Sequence, residues 1–380
     1  MRIAFFSDTY LPYASGAVRS MELFARELKR RRHEVYVFAP NYPGYFHDDA
    51  YVVRVPSLPV LAYPGLRLGV PHPFMADEVD VPLDLVHTHS PFTMGQAGVA
   101  FARLRNVPLV CTIHSLYEDY LAFYNITTKV FRQAVRRFTV AYCNQVQRVL
   151  APSGYVKDQL EACGVQVPID VLATGVELEL YPSADPEWPY TYFNLPRGRK
   201  LLLSAGRLAP EKSINLLLQA VALLVRRGSN VHFLVVGAGP EEARLRTMVA
   251  DLGLRDRVTL GGLLPKERLI DCYTAADLFM FASTIETQGL VVLEAMAAGL
   301  PAVAVDSPAI RETMGDCNAG FLTGKNARDL AEAAAQILED PDLARLMGER
   351  GRARAELFSI QKCTQALERI YADMLAVWHA

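Results

Sequence analysis

The residues whose types and spacing bear most directly on chemistry lie in one nine-residue run. It is Glu286-Thr287-Gln288-Gly289-Leu-Val-Val-Leu-Glu294, with Gly299 and Pro301 after it. Glu286 follows an apolar segment at 278–281 that reads as a strand, and Gly289 opens the helix expected next. A helix N-terminus presents unbonded N–H groups, which suit phosphate or sugar oxygens. A carboxylate on the preceding loop can accept from sugar hydroxyls. One more than a turn inside the helix can take both hydroxyls of a ribose. The plainer alternative makes Glu286 an electrostatic cap and Glu294 a surface residue, although Glu294 stands in an otherwise apolar stretch.

A second group, Gly206-Arg207-Leu-Ala-Pro-Glu-Lys212, follows the strand expected at 200–205. Two cations in one strand-end loop can stabilise a diphosphate leaving group, whose charge grows as its bond breaks. Either cation alone would be an ordinary surface charge. In the first half, the loop Asp8-Thr-Tyr10-Leu-Pro-Tyr-Ala-Ser-Gly16 ends before a helix, where Gly16 would let backbone approach a phosphate. His114 follows the strand expected at 108–112, and His87 and His89 stand at another strand end. An H-x-H pair without a third ligand is weak evidence for a metal. Between Asp119 and Asp158 there is no acid, while Lys129, Arg132, Arg136, Arg137, Arg148 and Lys157 fall there. Lys129, Arg132 and Arg136 share one helix face, and Phe131, Val135 and Phe138 line another. Such a helix can lie on an anionic membrane surface, or be an ordinary solvated face.

Two further patterns carry less. Gly237-Ala-Gly239-Pro resembles the start of a dinucleotide fingerprint, but it lacks the third glycine and the acid after the next strand. Asp340-Pro-Asp342 has a metal-transferase spacing but sits at a helix junction, where it reads as a cap.

The elements that must hold these groups alternate. Strands are expected at 2–7, 34–39, 85–87, 108–112 and 148–151, with a helix at 18–32. A proline-rich stretch at 181–199 reads as a linker, after which the pattern restarts. Strands at 200–205, 231–236, 257–260, 278–281 and 302–305 alternate with helices, and a last amphipathic helix runs over 360–378. Strand–helix alternation implies parallel sheets with crossover helices. The expectation is an α/β chain of two doubly wound domains facing a cleft, with ligands beyond the carboxyl ends of the strands. A length of 380 residues fits two domains.

The net charge of -2 argues against a nucleic-acid partner. The start of the chain lacks the pattern of a signal peptide, and no apolar run reaches the roughly 20 residues of a membrane span. Six scattered cysteines, none in a C-x-x-C pair, favour reduced thiols and a cytoplasmic setting.

On the Gly206–Lys212 group, Val235-Val-Gly-Ala-Gly239, and Glu286 through Pro301, the chain resembles the retaining glycosyltransferases of family 4 over nearly its full length. The resemblance implies the GT-B fold. Its domains would cover 1–180, for the acceptor, and 181–358, for the nucleotide sugar, with the helix at 359–380 packing back on the first. It implies that Arg207 and Lys212 bind the donor diphosphate, with Gly16 approaching from the first domain. Glu286, helped by backbone at Thr287, Gln288 and Gly289, meets the transferred sugar. Glu294 binds the ribose, and Gly262, Leu263 and Leu264 lie at the base. His114 lines the reacting face, no cofactor or metal is needed, and displacement proceeds on the front face. Ser15-Gly16-Ala-Val18 departs from relatives that carry a second glycine or a Gly-Val pair there. Tyr10-Leu-Pro, His87-Thr-His89 and His114-Ser-Leu-Tyr117-Glu-Asp-Tyr120, followed by the basic stretch, are similar to bacterial diacylglycerol glucosyltransferases. That similarity implies UDP-glucose as donor, a lipid acceptor reached near Tyr10 and Tyr117, and peripheral contact with an anionic membrane through Lys129, Arg132, Arg136 and Arg137. Another acceptor, such as phosphatidylinositol or a soluble small molecule, stays open, as does a nucleotide-sugar epimerase on the same fold.

Overall fold

The computed structural model describes residues 1–13, 15–45, 51–60, 66–72, 81–120 and 128–380, without the side chains of 119 and 120. Part of the acid-free stretch, 121–127, therefore lies outside the described residues. The chain divides into two units, Met1–Gly175 with Ile360–Ala380, and Val176–Ser359. The division falls a few residues ahead of the sequence-based boundary at 180 and 181.

In the first unit the strands are β1 (Arg2–Phe6), β2 (Glu34–Pro40), β3 (Val52–Val55), β4 (Ser57–Pro59), β5 (Arg67–Gly69), β6 (Leu85–Thr88), β7 (Leu109–Thr112), β8 (Arg148–Ala151) and β9 (Ile169–Val171). Among the described residues, seven of these form one sheet in the order β3-β2-β1-β6-β7-β8-β9, and β4 and β5 pair separately. Neighbours in the large sheet run parallel. The central strands read Ile3-Ala-Phe-Phe6 and Leu85-Val-His-Thr88 and are buried throughout, as strands covered on both faces must be. The order turns back between β1 and β6, so the loops after these two strands are neighbours. Those loops carry Asp8 and His89.

The final helix, Ile360–Trp378, packs on the helix Gly16–Arg30 of this unit. An ionic cluster ties the two together. Arg31 bonds Glu27 and Glu368, both at 2.9 Å, and His33 bonds Glu368 at 2.8 Å and the N-terminal amine at 2.9 Å.

The second unit contains β10 (Lys200–Ala205), β11 (Val231–Val236), β12 (Val258–Gly262), β13 (Leu278–Phe281), β14 (Ala302–Val305) and β15 (Gly320–Thr323). They form a parallel sheet in the order β12-β11-β10-β13-β14-β15. Alternate side chains feed two cores. Leu202, Val235, Met280 and Val303 face the helices Ile214–Arg226 and Ala327–Glu339. Leu203, Phe279, Phe281 and Ala304 face the helix Leu290–Ala297. Here too the order turns back, between β10 and β13, which brings the Gly206–Lys212 loop beside the Glu286 loop.

The proline-rich stretch is not a free linker. It forms a 3-10 turn at Leu178–Ser183 and a short helix at Trp188–Tyr192. Tyr181, Trp188, Tyr190 and Phe193 pack on the second core, and the Arg268 guanidinium sits 4.9 Å from the Trp188 ring. Its aromatics, spaced without period between prolines, supply apolar area without forming a long element.

Candidate active site

Gly206 follows β10 directly. Its N–H donates to Val236 O at 3.0 Å, and Leu208 N–H donates to Ala238 O at 3.0 Å. The Arg207 loop is thereby laid against the loop after β11. This contact explains Gly237-Ala-Gly239, whose dinucleotide reading fails. Gly237 has φ +144, and a Cβ there would lie 1.8 Å from Gly206 O. Only glycine lets the two loops meet so closely.

Glu211 is 1% exposed and holds Arg207 by an ion pair of 2.6 Å. Its other oxygen, Oε2, has no hydrogen-bond partner among the described residues. The ammonium of Lys212 bonds Glu286 Oε1 at 2.6 Å and lies 5.9 Å from the Phe281 ring. The Lys212 and Glu286 side chains are 19% and 13% exposed. The two motifs that sequence places 74 residues apart are thus joined by one charge-assisted bond.

Gly289 caps the helix Leu290–Ala297 with φ +86, and a Cβ would strike Ile310 Cδ1 at 2.3 Å. Gln288 is buried, and its carbonyl accepts from the Thr313 hydroxyl. The Thr287–Gly289 backbone is therefore anchored from below, while the Leu290 and Val291 amides come before the first bonds of the helix, from Val292 and Leu293 N–H to Gly289 O.

Glu294 is buried rather than a surface residue. Its Oε1 pairs with Lys266, and its Oε2 accepts from the Tyr273 hydroxyl at 3.1 Å. Its backbone carbonyl accepts from Tyr181 at 3.0 Å. Burial first, and then the neighbouring Glu294 carboxylate, push the Tyr273 phenol well above its ordinary pKa of 10.0, so it remains a donor. Gly262 ends β12, Leu263 and Leu264 follow, and Leu263 is exposed.

In the first unit, Ser15 caps the helix that begins at Gly16, accepting from Val18 N–H at 3.2 Å. A Cβ on Gly16 would meet nothing within 4 Å, so its neighbours leave that helix start open. Asp8 is buried and accepts from Thr93 Oγ1 at 2.7 Å and Met94 N–H at 2.9 Å, which caps the helix Thr93–Arg105 from another strand's loop.

His114 Nε2 lies 3.0 Å from His89 Nδ1. Burial lowers the His114 pKa to about 4 and that of His89 well below its ordinary value. His87 has both ring nitrogens engaged, with Tyr371 at 2.6 Å and Thr112 at 2.7 Å. That removes His87 from any metal set, and no cluster of metal-binding side chains occurs among the described residues. Asp340 caps the helix Pro341–Ala355, accepting from Leu343 N–H at 2.9 Å.

Two surface expectations can be set against the observed burial. Tyr10 is only 5% exposed, with the Arg54 guanidinium 5.5 Å from its ring, so it offers little surface to an acceptor. In the helix Lys129–Cys143 only Thr139, Tyr142 and Cys143 are buried. Phe131 and Phe138 are exposed, as are Arg132, Arg136 and Arg137. Phe138 stacks with Phe92, and Phe92 meets Tyr117 edge-on at 4.9 Å.

The family model described as Glycosyltransferase Family 4 matches residues 14–180, and that described as Glycosyl transferases group 1 matches residues 193–354. An alpha-monoglucosyldiacylglycerol synthase of Streptococcus pneumoniae is 30% identical over 352 residues, covering 90% of this chain and 80% of that protein. This chain is a family 4 glycosyltransferase. Similar at comparable identity are a GDP-mannose-dependent alpha-mannosyltransferase of Mycolicibacterium smegmatis, 30% over 88% of each chain, and a D-inositol 3-phosphate glycosyltransferase of Nocardia farcinica, 33% over 78% of this chain and 68% of the relative. In fold, the glycosyltransferase matches the sucrose-phosphate synthase of Thermosynechococcus elongatus with a TM-score of 0.79 at 22% identity, covering 99% of both chains. Anabaena HepE, solved with UDP, matches with a TM-score of 0.78 at 21% identity, over 98% of this chain and 100% of that one.

Sequence reasoning missed the parts played by Glu211, Asp8, Lys266 and Tyr273. Glu211 stood inside a motif already singled out, and its spacing of four from Arg207 was the available signal.

Proposed function

We propose that this glycosyltransferase moves a glucosyl group from UDP-glucose to diacylglycerol, with retention of configuration, from the cytoplasmic side of an anionic membrane. The observation that carries the reading is the Lys212–Glu286 bond of 2.6 Å, beside an Arg207 fixed by Glu211. It supports a reading in which a cation for the leaving group and a carboxylate for the sugar stand side by side before any donor arrives.

Arg207 and Lys212 take the donor diphosphate, Lys212 using donor hydrogens left free of Glu286. Glu286 accepts from a sugar hydroxyl, and backbone at Thr287, Gln288 and Gly289 meets the remaining sugar oxygens. Glu294 takes the ribose, and the segment Gly262–Leu264 takes the base. Gly16 serves the phosphates and His114 the reacting sugar, His114 as a neutral imidazole given its lowered pKa. The bond from the anomeric carbon to the diphosphate oxygen breaks with its electron pair passing to the diphosphate. The acceptor hydroxyl attacks the same face, and its proton passes to the departing diphosphate oxygen. Two fixed side-chain cations stabilise the developing charge, so the reaction is proposed to need no metal or other cofactor.

The lipid acceptor is supported by the Streptococcus pneumoniae relative and by the exposed basic and aromatic surface around Arg132, Arg136, Phe131 and Phe138. No helix among the described residues is long and apolar enough to cross a membrane. The mannosyl and inositol-phosphate relatives favour a second reading, with another donor or a soluble acceptor. Supplying labelled UDP-glucose and GDP-mannose in turn to diacylglycerol vesicles and to inositol phosphate decides between them. Labelled glycolipid from UDP-glucose alone is expected. Product only from the mannose donor or the soluble acceptor would replace this reading with the second.

A further inference from the structure

Glu294 has two oxygens and about four lone-pair sites. The structure uses one site on each oxygen, Lys266 on Oε1 and Tyr273 on Oε2. What remains is one acceptor site on each oxygen, a pattern that matches two O–H donors on adjacent carbons. The flanking Leu293, Ala295 and Met296 are fully buried, and a bare carboxylate among them would be costly. Lys266 offsets that charge, and Lys266 and Tyr273, one on each oxygen, together fix the plane of the carboxylate.

Lys266 differs from Tyr273 in its surroundings. Its side chain is 17% exposed, whereas Tyr273 is 1% exposed. It is also the first residue of the helix Lys266–Ala275, just beyond Leu263, Leu264 and Pro265. It therefore joins the segment assigned to the base with the carboxylate assigned to the ribose.

We propose that Lys266, with Tyr273, is a positioning residue that makes Glu294 a selector for a vicinal diol, so that a ribonucleoside diphosphate is preferred over its 2′-deoxyribonucleoside analogue. The inference rests on the reading of Glu294 as the ribose carboxylate. Without Lys266 the carboxylate rotates about its own χ angles and no longer offers both acceptor sites in one plane. The loss falls on recognition of the second hydroxyl and spares the diphosphate contacts at Arg207 and Lys212.

Calorimetric titration of UDP and of 2′-deoxy-UDP into the wild-type protein, Lys266→Met, Lys266→Arg and Tyr273→Phe tests this, with thermal melts to establish that each variant is folded. Wild-type protein is expected to prefer UDP by about tenfold, the worth of one hydrogen bond to a charged acceptor. Lys266→Met and Tyr273→Phe should lose most of that preference while binding 2′-deoxy-UDP nearly as before, and Lys266→Arg should recover part of it. Equal weakening of both nucleotides in a folded Lys266→Met protein, or an unchanged preference, overturns the inference alone. A wild-type protein that does not distinguish the two nucleotides overturns the assignment of Glu294 itself.

Discussion

Replacing Lys212 by methionine should damage turnover far more than vesicle binding. The ammonium is bonded to Glu286 at 2.6 Å, and the two side chains are 19% and 13% exposed. Two effects follow. In the free protein the Glu286 carboxylate loses a charged partner at a largely dehydrated position, which costs about 1–3 kcal/mol of stability. In the transition state the diphosphate loses one of its two fixed cations, and a missing preorganised charge stabiliser costs about 3 kcal/mol, or about 100-fold in rate. The assay is a steady-state measurement of labelled product on anionic vesicles, run beside vesicle sedimentation and thermal melts. The expected result is a fall in kcat of about 100-fold, a lowered Tm and unchanged sedimentation. Combining Lys212→Met with Glu286→Gln should cost less stability than the two separate losses added, with a coupling of about 0.5–3 kcal/mol. Turnover close to that of wild-type protein, or turnover and vesicle binding falling together, would refute the placing of the leaving group at Lys212.

Two further outcomes are expected. Replacing Arg132, Arg136 and Arg137 together by glutamine should weaken sedimentation with anionic vesicles by about 1 kcal/mol per charge and leave UDP binding intact, while neutral vesicles show little difference. Burial lowers the pKa of His87 and His89 well below the ordinary 6.5 and that of His114 to about 4. The unfolded chain then binds protons below 6.5 that the native protein refuses, so stability rises with pH across that window and is lost as pH falls from 6.5 toward 4. A series of melts from pH 7 to pH 5 should show the Tm falling, and a His89→Gln variant, which removes one of these groups, should show a shallower fall.

Much of this arrangement is legible in the sequence where a segment decides its own structure. The buried strands at Lys200–Ala205, Val231–Val236 and Ala302–Val305 read directly as apolar runs, and the loops at Arg207 and Glu286 follow from them. Short edge strands such as Ile169–Val171 and Gly320–Thr323 carry too few residues to show a period. The stretch 181–199 misled because proline spacing marks turns but does not tell whether the turns are packed. Glu294 stood out as an acid on an apolar helix, yet its partners did not. Lys266 and Tyr273 reach it only because the helix Lys266–Ala275 lies beside the helix Leu290–Ala297, a placement that no local pattern contains. Asp8 was hidden in the same way, since the helix it caps begins 85 residues later. The basic surface at Lys129–Cys143 was visible as charge spacing, while the exposure of Phe131 and Phe138 needed the packing of the whole unit.

The central claim, transfer of glucose to diacylglycerol with retention, turns on the configuration of the product. UDP-glucose labelled with 13C at the anomeric carbon is incubated with diacylglycerol in anionic vesicles, and the extracted lipid is read by NMR. The account predicts a glucosyl lipid whose anomeric carbon is α-linked, as it is in the donor. A β-linked lipid, or label recovered only as free sugar or a rearranged nucleotide sugar, would contradict it.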